Sequence, residues 1–192
     1  GVIGQDEAID ALRFGLETRL EDLGLYGFAI LTAATAREAT GRAARFLGLV
    51  SDSGRVQLVE RGGLAHVRFV RDGSRTLGHA TANETVIGQW VGTTRQTLGA
   101  FELASIGFRH TAPAADARRI ETLLGCRVRW GAAHDELVVA RELLDRPLRT
   151  RNDEMSSYFG AEVQRRETER AQGDGLTGRV RHCVAAALAE GE

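Results

Sequence analysis

Five histidines, at 66, 79, 110, 134 and 182, are the side chains of this sequence best suited to hold a metal or move a proton near neutral pH. A locally built zinc site needs such ligands at fixed short spacing, as in HExxH, and these five are dispersed. Ser105, Ser156 and Ser157 lack the GxSxG elbow that presents a hydrolytic nucleophile. Cys126 and Cys183 lie far apart with no CxxC pair, and Cys126 reads as a buried strand cysteine. Gly24, Gly27, Gly62 and Gly63 do not gather into a loop that would cradle phosphate before a helix, so turns and close packing account for them. Asp135 and Glu136 are adjacent carboxylates, but they follow His134 in what reads as a hairpin turn exposed to water. No nucleophile, acid–base pair, metal set or cofactor loop is marked, and the expectation is a protein that binds and does not catalyse.

Binding chemistry then rests on aromatic side chains that could line an apolar pocket with a few polar groups. Tyr26, Phe28, Trp90, Phe108 and Trp130 are the aromatic candidates, and His110 shares a strand face with Phe108 and could orient a ligand by hydrogen bonding. Plain core packing is the competing expectation for each. Arg109 alternates to the opposite face, where it could hold a carboxylate or simply meet solvent.

These residues must be positioned by elements whose signals are local. Ile9, Leu12, Leu16 and Leu20 recur at helical spacing over residues 6–20. Residues 23–28 read as a loop or buried turn. A second helix is expected over 34–49, with Thr35 as N-cap, Glu38 completing a capping box and Ala39, Ala43, Phe46 and Leu47 facing inward. Two period-two runs, 56–60 and 65–70, bracket Gly62-Gly63 and predict a β-hairpin. A third helix follows over 84–98, capped by Asn83. Ile106, Phe108 and His110 then share one strand face, the Thr-Ala-Pro at 111–113 turns the chain, and Asp116 opens a helix carrying Ile120, Leu123 and Leu124. Gly125 stands where a helix C-terminus favours positive φ, and 126–130 begins the next strand. Residues 153–172 read as one long helix with Met155, Tyr158, Phe159 and Val163 on a stripe, and 173–175 as a hinge. The sum is an α+β fold: a mostly antiparallel sheet with packed helices, a helical N-terminal segment and a long C-terminal helix.

Composition bounds the partners. A chain of 192 residues, 43% hydrophobic, supports one sizeable core. The formal net charge of −1 lacks the basic excess with which a nucleic-acid module neutralises phosphates. All 25 basic residues are arginine, a bias that nucleotide composition explains more simply than selection for bidentate anion contacts. No run approaches the roughly 18 apolar residues that span a bilayer. Two unpaired cysteines and no signal-peptide pattern fit a soluble protein of the reducing cytoplasm.

Several ordered blocks carry a resemblance. Phe108-Arg-His110 leads to Ala112-Pro-Ala114, then 124–131 (LGCRVRWG), 135–139 (DELVV) and 143–148 (LLDRPL) follow, with 22–29 (DLGLYGFA) and 35–49 upstream. Over roughly residues 8–190 the chain resembles the N-terminal effector domain of AraC/XylS-type transcription regulators, in the branch labelled arabinose-binding by analogy. The resemblance implies a small-molecule effector of unspecified class, residues 1–150 as the effector-binding domain, and 151–192 as a helical linker or dimerisation segment. It further implies a homodimer, and DNA contacts only through a helix-turn-helix domain beyond residue 192, with further helical sequence before residue 1. A cupin-like β-barrel, the fold of the founding regulator, is the alternative, and the sequence is too helical before and between its strands to favour it. A constitutive dimerisation scaffold with a filled core and no ligand is the alternative function. A small hydrolase or lyase would require an acid–base pair that the sequence does not mark.

Overall fold

The computed structural model describes residues 5–51, 54–71, 77–112, 114–171 and 180. Pro113, His182, Cys183 and the 173–175 hinge lie outside the described residues. Among the described residues, six helices and five strands follow in the order α1 (Gln5–Glu17), α2 (Gly24–Leu31), α3 (Ala36–Phe46), β1 (Arg55–Arg61), β2 (Leu64–Val70), α4 (Leu77–Leu98), β3 (Ser105–Phe108), α5 (Ala114–Leu124), β4 (Val128–Trp130), β5 (Asp135–Ala140) and α6 (Asp153–Ala171). Short 3-10 turns at Leu20–Leu23, Leu47–Leu49 and Arg141–Asp145 join them.

The strands form one open sheet in the order β1-β2-β5-β3-β4, antiparallel except for the β3/β4 pair. The fold is therefore α+β, and the sheet does not close into the barrel of the alternative. The hairpin at Gly62-Gly63 forms as the sequence predicts, with φ of 59° and 77°, values that a side chain at both positions would disfavour. Register places Val56 opposite Phe69, Val67 opposite Leu137 and Leu137 opposite Ile106. That face meets Ile9 and Leu12 of α1, Ile87 and Val91 of α4, and Ile120 and Leu124 of α5 in the main core.

Helix α1 and helix α4 pack without intervening side chains at three points. A Cβ on Gly88 would stand 2.6 Å from the Leu12 carbonyl oxygen, one on Gly92 2.4 Å from that of Leu16, and one on Gly15 2.2 Å from that of Thr85. Such distances fall inside contact range, so only glycine lets the two backbones approach this closely. Two smaller cores complete the molecule: Tyr26 and Ala29 of α2 with Phe46 of α3 and Val163 of α6, and Ala33 with Leu98 and Leu148.

Several local expectations need correction. Residues 23–28 are not a loop: α2 occupies Gly24–Leu31, an all-apolar segment whose pattern shows no stripe because it is covered on several sides. Asn83 is not a cap but lies inside α4, where its Nδ2 donates to Asp135 Oδ2 at 2.9 Å. Asp135 and Glu136 are not a solvated turn: they open β5 at 3% and 5% exposure. Cys126 sits half-buried in the turn before β4, and burial pushes its thiol up to about 11, away from nucleophilic reactivity. The Thr35 cap is present, its hydroxyl accepting from the Glu38 amide at 3.2 Å, while the Glu38 carboxylate reaches the amide of Ala34, one residue earlier than a capping box requires.

Candidate ligand-binding site

An apolar cavity of about 110 Å³ lies between α3, α4 and the inner sheet face. Its walls follow from helical spacing. On α3, Ala36, Ala39, Thr40 and Ala43 stand at i, i+3, i+4 and i+7, so one stripe of small side chains faces the space. On α4, Gln89, Trp90, Thr93, Thr94, Thr97 and Leu98 form the facing stripe. Val56, Val67 and Leu137 supply the sheet wall, and Leu23, Tyr26 and Ile30 the wall toward α2. The segment after β5 closes one end. There the Leu148 amide donates to the Ala34 carbonyl at 3.1 Å and the Arg149 amide to that of Thr97 at 2.7 Å, tying the start of α3 to the end of α4.

The wall is apolar with a sparse set of hydroxyls. Thr40 and Thr97 donate to the carbonyls of Ala36 and Thr93 at 2.8 and 2.9 Å, and Thr93 to that of Trp90 at 3.3 Å. Burial pushes the Tyr26 phenol up, so it stays neutral, and its hydroxyl lies 3.4 Å from the Ala43 carbonyl oxygen. Among the described residues the only titratable side chain of the lining is that phenol.

The six aromatic and histidine candidates divide into three places. Tyr26 and Trp90 line the cavity, with Trp90 edge-on to Phe69 at 6.0 Å. Phe28 stacks on Phe159 of α6 at 5.2 Å, on the other side of α2. Phe108 and Trp130 end β3 and β4, where the parallel register stacks them at 5.2 Å, and His110 joins them from just past β3 rather than from a shared strand face. His110 lies 5.4 Å from the Trp130 ring and places Nε2 2.8 Å from Glu84 Oε1. Phe108 is fully buried in the main core. Sequence reasoning did not select the rest of the lining, which includes Gln89, Ile30 and Val67 as well as a set of small residues. Ala36, Thr40, Thr93, Thr94 and Thr97 declare themselves only as two small-residue stripes that must face each other.

A separate polar cluster crosses the sheet. Glu136 accepts from Arg68 Nε at 3.0 Å and from Arg129 at 2.7 Å, with His66 Nδ1 at 3.2 Å. Burial acts to raise its carboxyl, but the two arginine hydrogen bonds outweigh this and hold it below the usual 4.5. Asp135 accepts from the Asn83 side chain and, at 2.9 Å, from the Arg109 amide, joining α4 to the end of β3. Arg109 is thus no simple surface arginine: its Nε is buried without a partner, as is Trp130 Nε1. Among the described residues no three His, Cys, Asp or Glu side chains come together in a way that could hold a metal ion, and no helix is long and apolar enough to cross a membrane.

Comparison with known proteins adds to this geometry. The crystal structure of the transcriptional regulator CdpR from Pseudomonas aeruginosa superposes with a TM-score of 0.64 at 19% identity, over 82% of this chain and 54% of that one. The chain thus spans about half the length of that regulator, and the likeness establishes the fold. No curated protein sequence matches the chain significantly. The sequence model described as the arabinose-binding domain of AraC transcription regulators, N-terminal, matches residues 5–148. The apolar cavity walled by α3 and α4 thus lies within the matched span, and the chain belongs to this family of AraC-type N-terminal domains.

Proposed function

We propose that the chain is the ligand-sensing part of a transcription regulator, with the cavity between α3, α4 and the sheet as its effector site. The observation that carries this reading is the cavity's position. Leu23, Tyr26, Ile30 and Ala43 belong both to its wall and to the small core in which Val163 of α6 is fully buried. A molecule that favours one placement of α2 and α3 therefore shifts the population of α6 placements with them. In this reading residues 1–150 bind effector and 151–192 form a linker or dimerisation segment. The assembly is a cytoplasmic homodimer whose DNA contacts come from a domain outside this sequence. Tyr26 and Trp90 contact the effector directly.

Ala39→Leu tests the site, because a leucine there projects into the cavity from α3. Thermal unfolding is followed against a panel of aromatic and alicyclic alcohols, aromatic acids, amino acids, fatty acids and sugars. A bound member at about a hundred times its dissociation constant stabilises the native state by roughly 2.7 kcal/mol. A chemically coherent set of hits on the wild type, lost in Ala39→Leu, is expected. Hits that persist in the filled variant would place the site elsewhere. No hits at all, with a midpoint that rises with protein concentration, would instead favour a constitutive dimerisation scaffold.

A further inference from the structure

The lining of the cavity constrains what can enter it, and this step rests on the sensing reading above. Among the described residues no Asp, Glu, Arg or His side chain lines the space, and the one titratable group, the Tyr26 phenol, is kept neutral by burial. An ion moved there from water would meet apolar walls and no counter-ion, a penalty of at least about a hundredfold in affinity. A sugar fares little better, because it carries a hydroxyl on nearly every carbon and each one left unpaired after desolvation weakens binding.

The polar groups that remain are unequal. The hydroxyls of Thr40, Thr93 and Thr97 already donate to carbonyls of their own helices. Gln89 and Thr94 differ: both line the cavity from α4, at the two edges of its lining stripe, and neither side chain has a hydrogen-bond partner among the described residues. Each offers a donor and an acceptor, the amide of Gln89 or the hydroxyl of Thr94, which is what one hydroxyl or carbonyl oxygen can use. Volume sets the rest. A buried cavity of about 150 Å³ takes benzene, and this space of about 110 Å³ beside Trp90, partly open to solvent, suits nothing larger than a single compact ring or its aliphatic equivalent.

We propose that the cavity takes an uncharged molecule with a compact apolar body and one hydroxyl or carbonyl oxygen, the body against Trp90 and the α3 alanines and the oxygen at Gln89 or Thr94. Carboxylates, ammonium ions and sugars are excluded by the same walls.

Isothermal titration of the chain with four probes on one ring tests this: toluene, benzyl alcohol, benzoate and benzylammonium. Benzyl alcohol is expected to bind about two- to tenfold more tightly than toluene, the yield of one neutral hydrogen bond. The two ions are expected at least about a hundredfold weaker than the alcohol. One of Gln89→Leu and Thr94→Val, the latter close in shape to the native side chain, is expected to erase the advantage of the alcohol while leaving toluene bound as before. Benzoate or benzylammonium binding as tightly as benzyl alcohol would overturn the ligand class while leaving sensing at this cavity in place. An advantage that survives both substitutions would overturn the assigned anchor. Absence of binding by all four, toluene included, would remove the cavity as a binding place and both readings with it.

Discussion

Replacing Gly92 by alanine adds one methyl group to α4, and the structure fixes what that group meets. Its carbon would stand 2.4 Å from the Leu16 carbonyl oxygen, 3.0 Å from the carbonyl carbon and 3.1 Å from Cα. All three are backbone atoms of a helix, so no side chain can swing aside, and α1 must retreat by about 1 Å to restore ordinary contact. A radial gap of that size forfeits up to about half of each dispersion contact behind it. The contacts at risk are those of Ile9 and Leu12, both in the main core. Overpacking of this kind costs about 1–3 kcal/mol, against a gain of about 0.5–1 kcal/mol from replacing glycine within a helix. The net loss, centred on about 1 kcal/mol and at most about 2.5 kcal/mol, lowers the midpoint of a domain this size by about 2–4 °C at that centre. Gly41 of α3 supplies the control, since a Cβ there meets nothing within 4 Å. Gly41→Ala is expected to raise the midpoint by about 1–4 °C through helix propensity alone. Thermal and urea unfolding of the two variants, with helicity followed by circular dichroism, gives opposite signs if the packing argument holds. A Gly92→Ala protein as stable as Gly41→Ala would refute it.

Two further outcomes follow from the buried charges and from α6. Because the Glu136 carboxyl is held below 4.5 in the folded state, its contribution is complete above that value and is lost as pH falls through the lower, folded value. Glu136→Gln is therefore expected to lose about 1–3 kcal/mol near neutral pH and to converge on the wild type in acid, measured by urea unfolding across pH. A gap that stays constant with pH would contradict the assignment. Val163→Ala removes two buried methyl groups from the contact between α6 and the Tyr26, Ala29 and Phe46 core, at about 1.5–3 kcal/mol. Hydrogen exchange is expected to accelerate in α6 and α2 before the sheet, and uniform acceleration would show that α6 is not a separable unit.

Much of the architecture was legible because its signals are local. The hairpin followed from two glycines, the start of α3 from Thr35, and the end of α5 from Gly125, whose φ is 72°. Helix α2 escaped notice because Gly-Leu-Tyr-Gly-Phe-Ala-Ile-Leu has no polar face from which a period could be read. Asp135 and Glu136 were misread because their partners, Asn83, His66 and Arg68, lie 52 to 70 residues away, and no local pattern announces that a carboxylate will be buried and paired. The cavity was the hardest feature to foresee. Selecting large aromatics found Tyr26 and Trp90, but also Phe108 and Phe28, whose rings fill space. A void is made where bulk is missing, and Ala36, Ala39 and Ala43 look in sequence like ordinary helix formers.

The glycine contacts between α1 and α4 also determine how stress is shared around the cavity. With carbonyls seated against bare backbone at three points, that helix pair has no room to close further, and the main-core side chains hold it to the sheet. The opposite half hangs on short helices joined by 3-10 turns at Leu20–Leu23 and Leu47–Leu49. Under the sensing reading proposed above, strain introduced into the cavity would therefore be relieved unevenly, toward the side where α2 and α3 bear on α6.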